Sequence, residues 1–600
     1  MGSVADLVVD GIDVFGVDTE TYNDHGHMGL KSIQCWAHTS NIYITSDDFT
    51  QSDDQIRSEI CTKFFEWLSG LQSDTVLAFF NLDFDFSQIV KNLVQNSPWE
   101  YVEKPQKNNL RRGTFSILES DSNIYRCDIK LESGFKITML DIANFLTATT
   151  LNKACMEWLG ESKIDLPSKI FPKRHATEKE IAYAMKDAEL TCKLYHKLNE
   201  TGVIENISYV TIAGRTMGHF KDFLKTNYSM TFEEFCYGTK NKQYAEMCNY
   251  EWEQYLRESN RGGSCMALHK GLFYGCTHAD AVSMYPSQMV LDLIPFGPVL
   301  HDIPDHDYTT IHFPTCYLTL KKGKIPYIQW NSNAQCLQFQ YKKLYKAGDY
   351  VEDCYLDGTH VFWDAEWEII KECYNIIDFS DNPIYIQMKR NHALKDYILT
   401  LFEGKKNNKG TKRYFYKILM NSLYGKFLSR PDGKRISYEN MERHTVDENN
   451  KKLYYLPLGS WIAMMGRVTL FKVLLSLDPK DVLYCDTDSC IFKGDKMPAI
   501  DIGKNLWQWE IENRDFDAWI VGPKTYQELN YTPIKSIPYN PLNTKCAGIN
   551  GDVRDKIKFA ELVEGGTWTV TRAHRDKESW AKNVIKTTYE INCRVCVLRG

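Results

Sequence analysis

Carboxylates recur in this sequence at places where a β-sheet should be apolar. Val14-Phe15-Gly16-Val17 reads as an apolar strand ending in Asp18-Thr19-Glu20. Alternation along a strand puts Asp18 and Glu20 on one face. Two carboxylates side by side repel unless a cation neutralises them. A second apolar strand over 76–80 ends in Asn81, with Asp85 four residues on. Tyr183 and Asp187 are four apart and share a face of a helix predicted from Glu178 to Leu198, with Thr177 as its N-cap. Four carboxylates and a tyrosine, each at the end or edge of an element, are the parts of a two-metal phosphodiester hydrolase. In such a site the metals clamp the scissile phosphate and generate hydroxide. Taken singly, each piece has a plainer meaning. An Asp after a strand is ordinary turn chemistry, and a Tyr–Asp pair on a helix is usually surface. The ordered set carries the signal.

A second group of acids lies downstream. His278-Ala279-Asp280-Ala281-Val282-Ser283-Met284-Tyr285-Pro286 reads as a short strand, then a turn into a helix. Val482-Leu483-Tyr484-Cys485 leads into Asp486-Thr487-Asp488, then Ser489-Cys490-Ile491-Phe492. That pattern predicts a β-hairpin with both acids near its turn. Such crowding is tolerable if Mg²⁺ sits there, held by few carboxylates plus nucleotide phosphates. Between these segments, Arg413, Lys417, Asn421 and Tyr424 form one stripe of a helix. Ile418, Leu419, Met420 and Leu423 cover its other side. Arg413 and Lys417 are like charges four apart, a small cost that a facing polyanion such as a triphosphate would reverse. For the helix alone, an ordinary amphipathic element is the plainer reading.

The whole arrangement resembles the family B DNA polymerases. Asp18-x-Glu20, Asn81 with Asp85, and Tyr183 with Asp187 are similar to the three motifs of the proofreading exonuclease in that family. The Ser-x-Tyr-Pro run at 283–286, the run Lys417-x-x-x-Asn421-Ser422-x-Tyr424-Gly425 and Asp486-Thr487-Asp488 resemble its polymerase motifs A, B and C. Lys524-Thr525-Tyr526 matches the Lys-x-Tyr motif, and Lys545 opens a segment like the one leading into the thumb. The resemblance implies an α/β and α+β multidomain chain. An RNase H-like 3′→5′ exonuclease domain would precede a right-hand palm, fingers and thumb. It further implies that Asp280, Asp486 and Asp488 at one site, and Asp18, Glu20, Asp85 and Asp187 at the other, hold two Mg²⁺ ions each, with Mn²⁺ as a substitute. Tyr183 would assist hydrolysis. Tyr285, Lys417, Asn421, Tyr424 and Lys524 would bind the nucleotide, with Tyr285 excluding a ribose 2′-hydroxyl. Asn81, Phe84, Lys163, Gly262, Gly263, Ser283, Gly425, Tyr526 and Lys545 would bind DNA.

Asp18 lies close to the N-terminus, which leaves no room before it for the extra domain of RNA-primed members. The likeness is therefore to the protein-primed branch found in small Bacillus phages, adenoviruses and linear plasmids, and it runs from about residue 12 to 550. It implies an exonuclease domain over 1–200, linker helices and first palm segment over 201–299, and a terminal-protein-docking insertion over 300–380. Fingers follow over 381–426, a processivity insertion over 427–456, more palm over 457–545 and a thumb over 546–600. The expected partners are primer-template DNA, deoxynucleotides and a terminal protein, with extension from a DNA primer not needing most of the first insertion. The alternatives are an RNA-primed relative lacking its N-terminal domain, or a catalytically retired DNA-binding relative. The chain departs from the branch at Asn260, where the linker motif usually has Tyr. It departs again at Phe80, often His, and at Asp83, an added acid.

Composition sets the frame. With 600 residues the chain is too long for one core. Hydrophobic content of 43% and charged content of 25% are those of an ordinary globular protein. A net charge of −7 argues against a nucleic-acid coat protein. It leaves room for a local basic channel, and nine Lys and Arg between Lys389 and Lys417 against Asp396 and Glu403 form one. The 18 cysteines have no framework spacing and read as reduced thiols; Cys593 and Cys596 lack the second pair that zinc needs. No secretion signal opens the chain, and no stretch is expected to reach the apolar length of a membrane span. The reading is a soluble, intracellular monomer.

Overall fold

A computed structural model describes residues 12–24, 27–102, 110–119, 124–146, 149–166, 171–201, 203–204, 212–241, 253–329, 350–429, 432–439, 442–449, 455–530, 541–546, 566–574 and 585–593. Cys596 and most of 546–600 fall outside these residues, so the zinc and thumb readings are not addressed by it.

The first half is built on an eight-stranded mixed sheet. Its order is Asn41–Thr45, His27–Trp36, Asp13–Asp24, Thr75–Phe79, Lys136–Asp141, Ile124–Lys130, Thr114–Glu119, Glu100–Tyr101. Asp13–Asp24 is antiparallel to His27–Trp36 and parallel to Thr75–Phe79. The acidic strand does not end at Glu20, where the sequence pattern predicts its end. Pairing with His27–Trp36 carries it through the acids to Asp24. A second correction concerns the stretch that includes the strand predicted over 76–80. Only Thr75–Phe79 is a strand, and Leu82–Asn96 is a helix, burying Phe86, Ile89, Val90 and Leu93 at helical spacing. The helix Glu178–Glu200 begins at Thr177 in a full capping box with Glu180, as predicted from sequence.

The second half is centred on a seven-stranded sheet ordered Pro541–Cys546, Thr525–Leu529, Trp509–Gly522, Gly271–Ala281, Ser489–Lys493, Val482–Asp486, Cys265–Ala267. The short helix Met284–Met289 and the long helices Ala393–Asn407, Gly410–Phe427 and Leu456–Leu475 share one apolar core with Ala279, Cys485, Cys490 and Trp509 of its strands. Leu456–Leu475 overturns one expectation. It is long and apolar enough to cross a membrane, yet 78% of its apolar window is buried inside the protein. It is a core helix, and its burial on nearly every side explains why its residues are apolar all round.

The described residues of 300–380 include the strands Tyr308–His312, Thr315–Leu320 and Asp353–Asp357, then the helix Asp364–Cys373 and the strand Tyr374–Ser380. The segment is not a separate lobe. Ile311, Phe313, Leu318, Ile325 and Tyr327 belong to one continuous apolar core with Leu456, Leu458 and Phe471. The segment 427–456 contributes a two-stranded hairpin, Asp432–Glu439 with Glu442–Asn449.

Candidate active sites

The first acidic site forms where the helix Glu178–Glu200 lies directly on the strand Asp13–Asp24. Gly16 permits this contact, because a Cβ there would stand 2.0 Å from the Ala188 carbonyl oxygen. The approach brings Asp187 against Asp18 and Glu20, and carboxylate oxygens of the three lie within 4.8 Å of one another. Lys163 sits over the Tyr183 ring at 5.4 Å and forms an ion pair with Asp187. Its backbone is held by the Asn152 side chain at 2.9 Å. The electrostatics follow from burial. Asp18 is pushed up to about 7, first by burial and then by Asp187. Glu20 is pushed up to about 9 by burial, Asp18 and Asp187. Lys163 is raised, because the Asp187 charge beside it outweighs its own burial. Three acids facing one ammonium leave the site short of positive charge, which suits a divalent cation.

Asp85 stands slightly apart from this trio. It accepts from the Thr19 backbone N–H at 3.2 Å and from the Thr19 hydroxyl at 2.6 Å, and burial raises its pKa. Asn81 takes the left-handed conformation at φ 79°, a region that Asn tolerates better than most residues. Its N–H donates to Asp141 at 3.1 Å. Asp141 is a fifth buried acid that the sequence reading did not single out, pushed up to about 6 by burial and holding the turn. Only its position at the end of an apolar run hinted at it. Asp83, the added acid, accepts from the Ile124 N–H at 3.2 Å and so pins a neighbouring strand. Phe84 is half-buried in the same helical turn and Asn81 is exposed.

The second site lies at one end of the seven-stranded sheet. Asp280 is paired with Ser489, and the Ala281 N–H donates to the Asp488 carbonyl at 2.7 Å. Thr487 occupies the hairpin tip at φ 56°, a strained position for a β-branched residue. Asp280 is pushed up to about 7 by burial and by Asp488. Asp488 is raised by burial and then by Asp486. Asp486, close enough to act on Asp488, is itself engaged by a lysine. Lys524 donates to both its oxygens, at 2.9 and 3.0 Å. The Lys524 ammonium is therefore engaged with a carboxylate.

Cations ring the acids on the helical side. Lys417 and Arg413 are exposed on Gly410–Phe427. Lys405 was counted among the basic residues but not placed in the site by sequence. It is buried, donates to the Ser283 hydroxyl at 2.8 Å, and is held down to about 8 by burial and by Arg413 and Lys417. Such a lysine is where an anion would be welcome. Tyr285 lies against Tyr424, ring centroids 4.3 Å apart, with Asn421 half-buried one turn earlier. Gly466 forms the floor, where a Cβ would come 3.1 Å from the Tyr285 ring. Gly425 opens to free space, with nothing within 4 Å of a Cβ there. Tyr526 is buried against Tyr484, centroids 4.8 Å apart, so it is a packing residue, whereas Lys545 is exposed. Gly262 needs its glycine for φ 71°.

Residues 163–459 match the family described as DNA polymerase type B, organellar and viral. The DNA polymerase of Bacillus phage phi29 is 26% identical over 557 residues, spanning 84% of this chain and 88% of that protein. The DNA polymerase of Bacillus phage M2 is 25% identical over 544 residues, with the same coverage. The solved structure of phi29 DNA polymerase with primer-template DNA and incoming nucleotide superposes with a TM-score of 0.74 at 19% identity. That match covers 97% of this chain and 99% of the other. The chain is similar to the type B DNA polymerases over most of its length. It is a DNA-directed DNA polymerase, and its fold is that of an exonuclease domain joined to a right-hand polymerase module. DNA polymerases of this family generally use divalent metal ions, and among the described residues the Asp18, Glu20 and Asp187 carboxylates are grouped closely enough to hold one.

Proposed function

We propose that this polymerase runs two phosphoryl chemistries at two separate sites. Nucleotidyl transfer is assigned to Asp280, Asp486 and Asp488, and 3′→5′ hydrolysis to Asp18, Glu20, Asp85 and Asp187. One observation carries the reading. Asp18 and Glu20 at one site and Asp280 at the other stand against further acids and partly out of water, which raises their pKa values and which a bound cation would relieve. Those carboxylates would hold two divalent ions per site, Mg²⁺ with Mn²⁺ as a substitute, which when bound supply charge neutralisation and Lewis acidity. The chain's own residues do the positioning. Lys405, Lys417 and Arg413 attract the triphosphate, and Lys524 balances Asp486. Tyr285, resting on Gly466, closes the sugar side, and Tyr424 faces the nascent base pair. At the hydrolytic site Lys163 pairs with Asp187, and Tyr183 presents its hydroxyl to the scissile phosphate. Asn81 and Phe84 line the approach of a single-stranded 3′ end. In this reading residues 1–200 form the exonuclease domain and the palm, fingers and thumb take the divisions given above.

The test is Asp488→Asn. Extension should fall by far more than tenfold, a loss above ~1.4 kcal/mol, while primer-template binding persists. Extension within tenfold of wild type would mean a different carboxylate.

Initiation from a protein hydroxyl is the finer part of the proposal. It is supported by the likeness to the small phage polymerases and by the two insertions at 300–380 and 427–456. A terminal protein from the same genome would serve as the partner. Linkage of one labelled nucleotide to a Ser, Thr or Tyr hydroxyl of that protein, absent with Asp488→Asn, is the expected result. Initiation only from RNA or DNA primers would refute it.

A further inference from the structure

Beneath the Asp486-Thr487-Asp488 tip runs the segment from Ser259 to Ser264. Two independent sets of contacts fix it. On one side the buried Arg467 guanidinium donates to the Gly262 carbonyl at 2.9 Å and the Ser259 carbonyl at 3.2 Å. Arg467 is itself held by Glu366 at 2.7 Å, and Glu366, wholly buried, also accepts from the Tyr327 hydroxyl at 2.7 Å. On the other side the Thr487 N–H donates to the Ser264 carbonyl at 2.7 Å. A Cβ on Gly263 would meet Thr487 Oγ1 at 2.4 Å and Cγ2 at 2.7 Å. Gly263 thus has its glycine because the hairpin tip rests on it.

We propose that Gly263, Arg467 and Glu366 are positioning residues of the polymerase site. Arg467 and Glu366 lock the 259–264 segment, and Gly263 sets the height at which Thr487, and with it the flanking acids, is held. Glu366 and Tyr327 both come from the segment between Asp280 and Lys417. The insertion is therefore a brace of the polymerase site as well as whatever surface it presents outward. This rests on the assignment of that site to Asp280, Asp486 and Asp488.

The chemistry gives the size of the effect. Ordinary contact distance is near 3.4 Å, so a methyl group at Gly263 displaces the tip by roughly 1 Å, and such misplacement can cost on the order of 100-fold in rate. Gly263→Ala should therefore lower single-nucleotide incorporation by about that factor. It should also weaken the complex of enzyme, dideoxy-ended primer-template and next nucleotide, measured by gel retardation without turnover. Degradation of single-stranded DNA, at the other site, should be unchanged. Adding Thr487→Gly, which the positive φ accommodates, removes the clash. Gly263→Ala with Thr487→Gly should then behave as Thr487→Gly alone, a non-additivity that general destabilisation would not produce. Glu366→Gln should shift incorporation and the retarded complex in the same direction, with Glu366→Asp nearer to wild type. Wild-type incorporation by Gly263→Ala, or additive losses in the double variant, would overturn the brace. If Gly263→Ala loses exonuclease activity as well, Thr487→Gly alone decides. The brace predicts a weaker retarded complex, and a wild-type one overturns it. Asp488→Asn in the same series separates the two claims: its continued incorporation would sink the site assignment on which the brace rests, whereas its loss of incorporation beside wild-type incorporation by Gly263→Ala would sink the brace alone.

Discussion

Replacing Glu20 by Gln should stabilise the protein when no divalent cation is present. Oxygens of Asp18, Glu20 and Asp187 lie within 4.8 Å of one another, so each ionised pair repels by about 3 kcal/mol at an effective dielectric constant of 20. Lys163 offsets one charge through Asp187. Glu20 avoids the rest by keeping its proton to about pH 9, against 4.5 for an ordinary glutamate. The sign follows from that rise. The folded state holds the proton that the unfolded state has released, so stability is full below about pH 4.5 and is lost as pH rises to about 9. Asp18 adds a loss between 3.8 and about 7. Glutamine mimics the protonated form at every pH. The variant should therefore gain at least the roughly 3 kcal/mol of one relieved pair at pH 9 and be close to wild type at pH 5. For a unit of about 200 residues that is roughly 6–12 °C in Tm. Melting in EDTA and in Mg²⁺ from pH 5 to 9 is the assay. Mg²⁺ should raise the wild-type Tm more than the variant's and abolish the variant's advantage, and the variant should lose exonuclease activity. Parallel wild-type and variant curves across the pH range in EDTA would refute the electrostatic account.

Tyr285→Val should admit ribonucleotides far better with little loss of deoxynucleotide use, measured by single-nucleotide insertion; an unchanged preference would place the sugar gate elsewhere. Lys405→Met should raise the KM for deoxynucleotides about tenfold, ~1.4 kcal/mol, without changing the affinity for primer-template; an unchanged KM would make Lys405 a core residue only. Deleting 305–360 should abolish extension of a DNA primer, contrary to the sequence expectation. The deletion takes Tyr327 from Glu366 and Ile311 and Leu318 from the shared core. Near-normal extension would show the insertion to be dispensable.

How far the sites could be read in advance depended on the range of the interactions that build them. Asp18 with Glu20, Tyr183 with Asp187, and the Asp486–Asp488 hairpin are local patterns set by strand and helix periodicity, and they were legible. Leu82, Phe84 and Phe86 alternate with Asp83 and Asp85 and imitate a strand, while the helix emerges only when Ile89, Val90 and Leu93 are included. The start of Leu456–Leu475 is obscured in the sequence, because Pro457 and Gly459 look like breakers; Pro457 sits instead in the first turn, where its missing N–H costs nothing. Asp141, Gly16 and the Arg467–Glu366 pair escaped notice for another reason. Their partners are distant in sequence, 101 residues in the last case, and no local pattern marks them.

A single titration tests the central claim of two separate chemistries most directly. A 5′-labelled primer annealed to its template is incubated with Mg²⁺ and deoxynucleotides rising from zero, and the product length is followed. The wild type should shorten the primer without nucleotides and lengthen it when they are supplied. Asp488→Asn should only shorten it, and Asp18→Ala with Asp85→Ala should only lengthen it. Extension surviving in the first variant, or shortening at the wild-type rate in the second, would contradict the assignment of one chemistry to each acidic site.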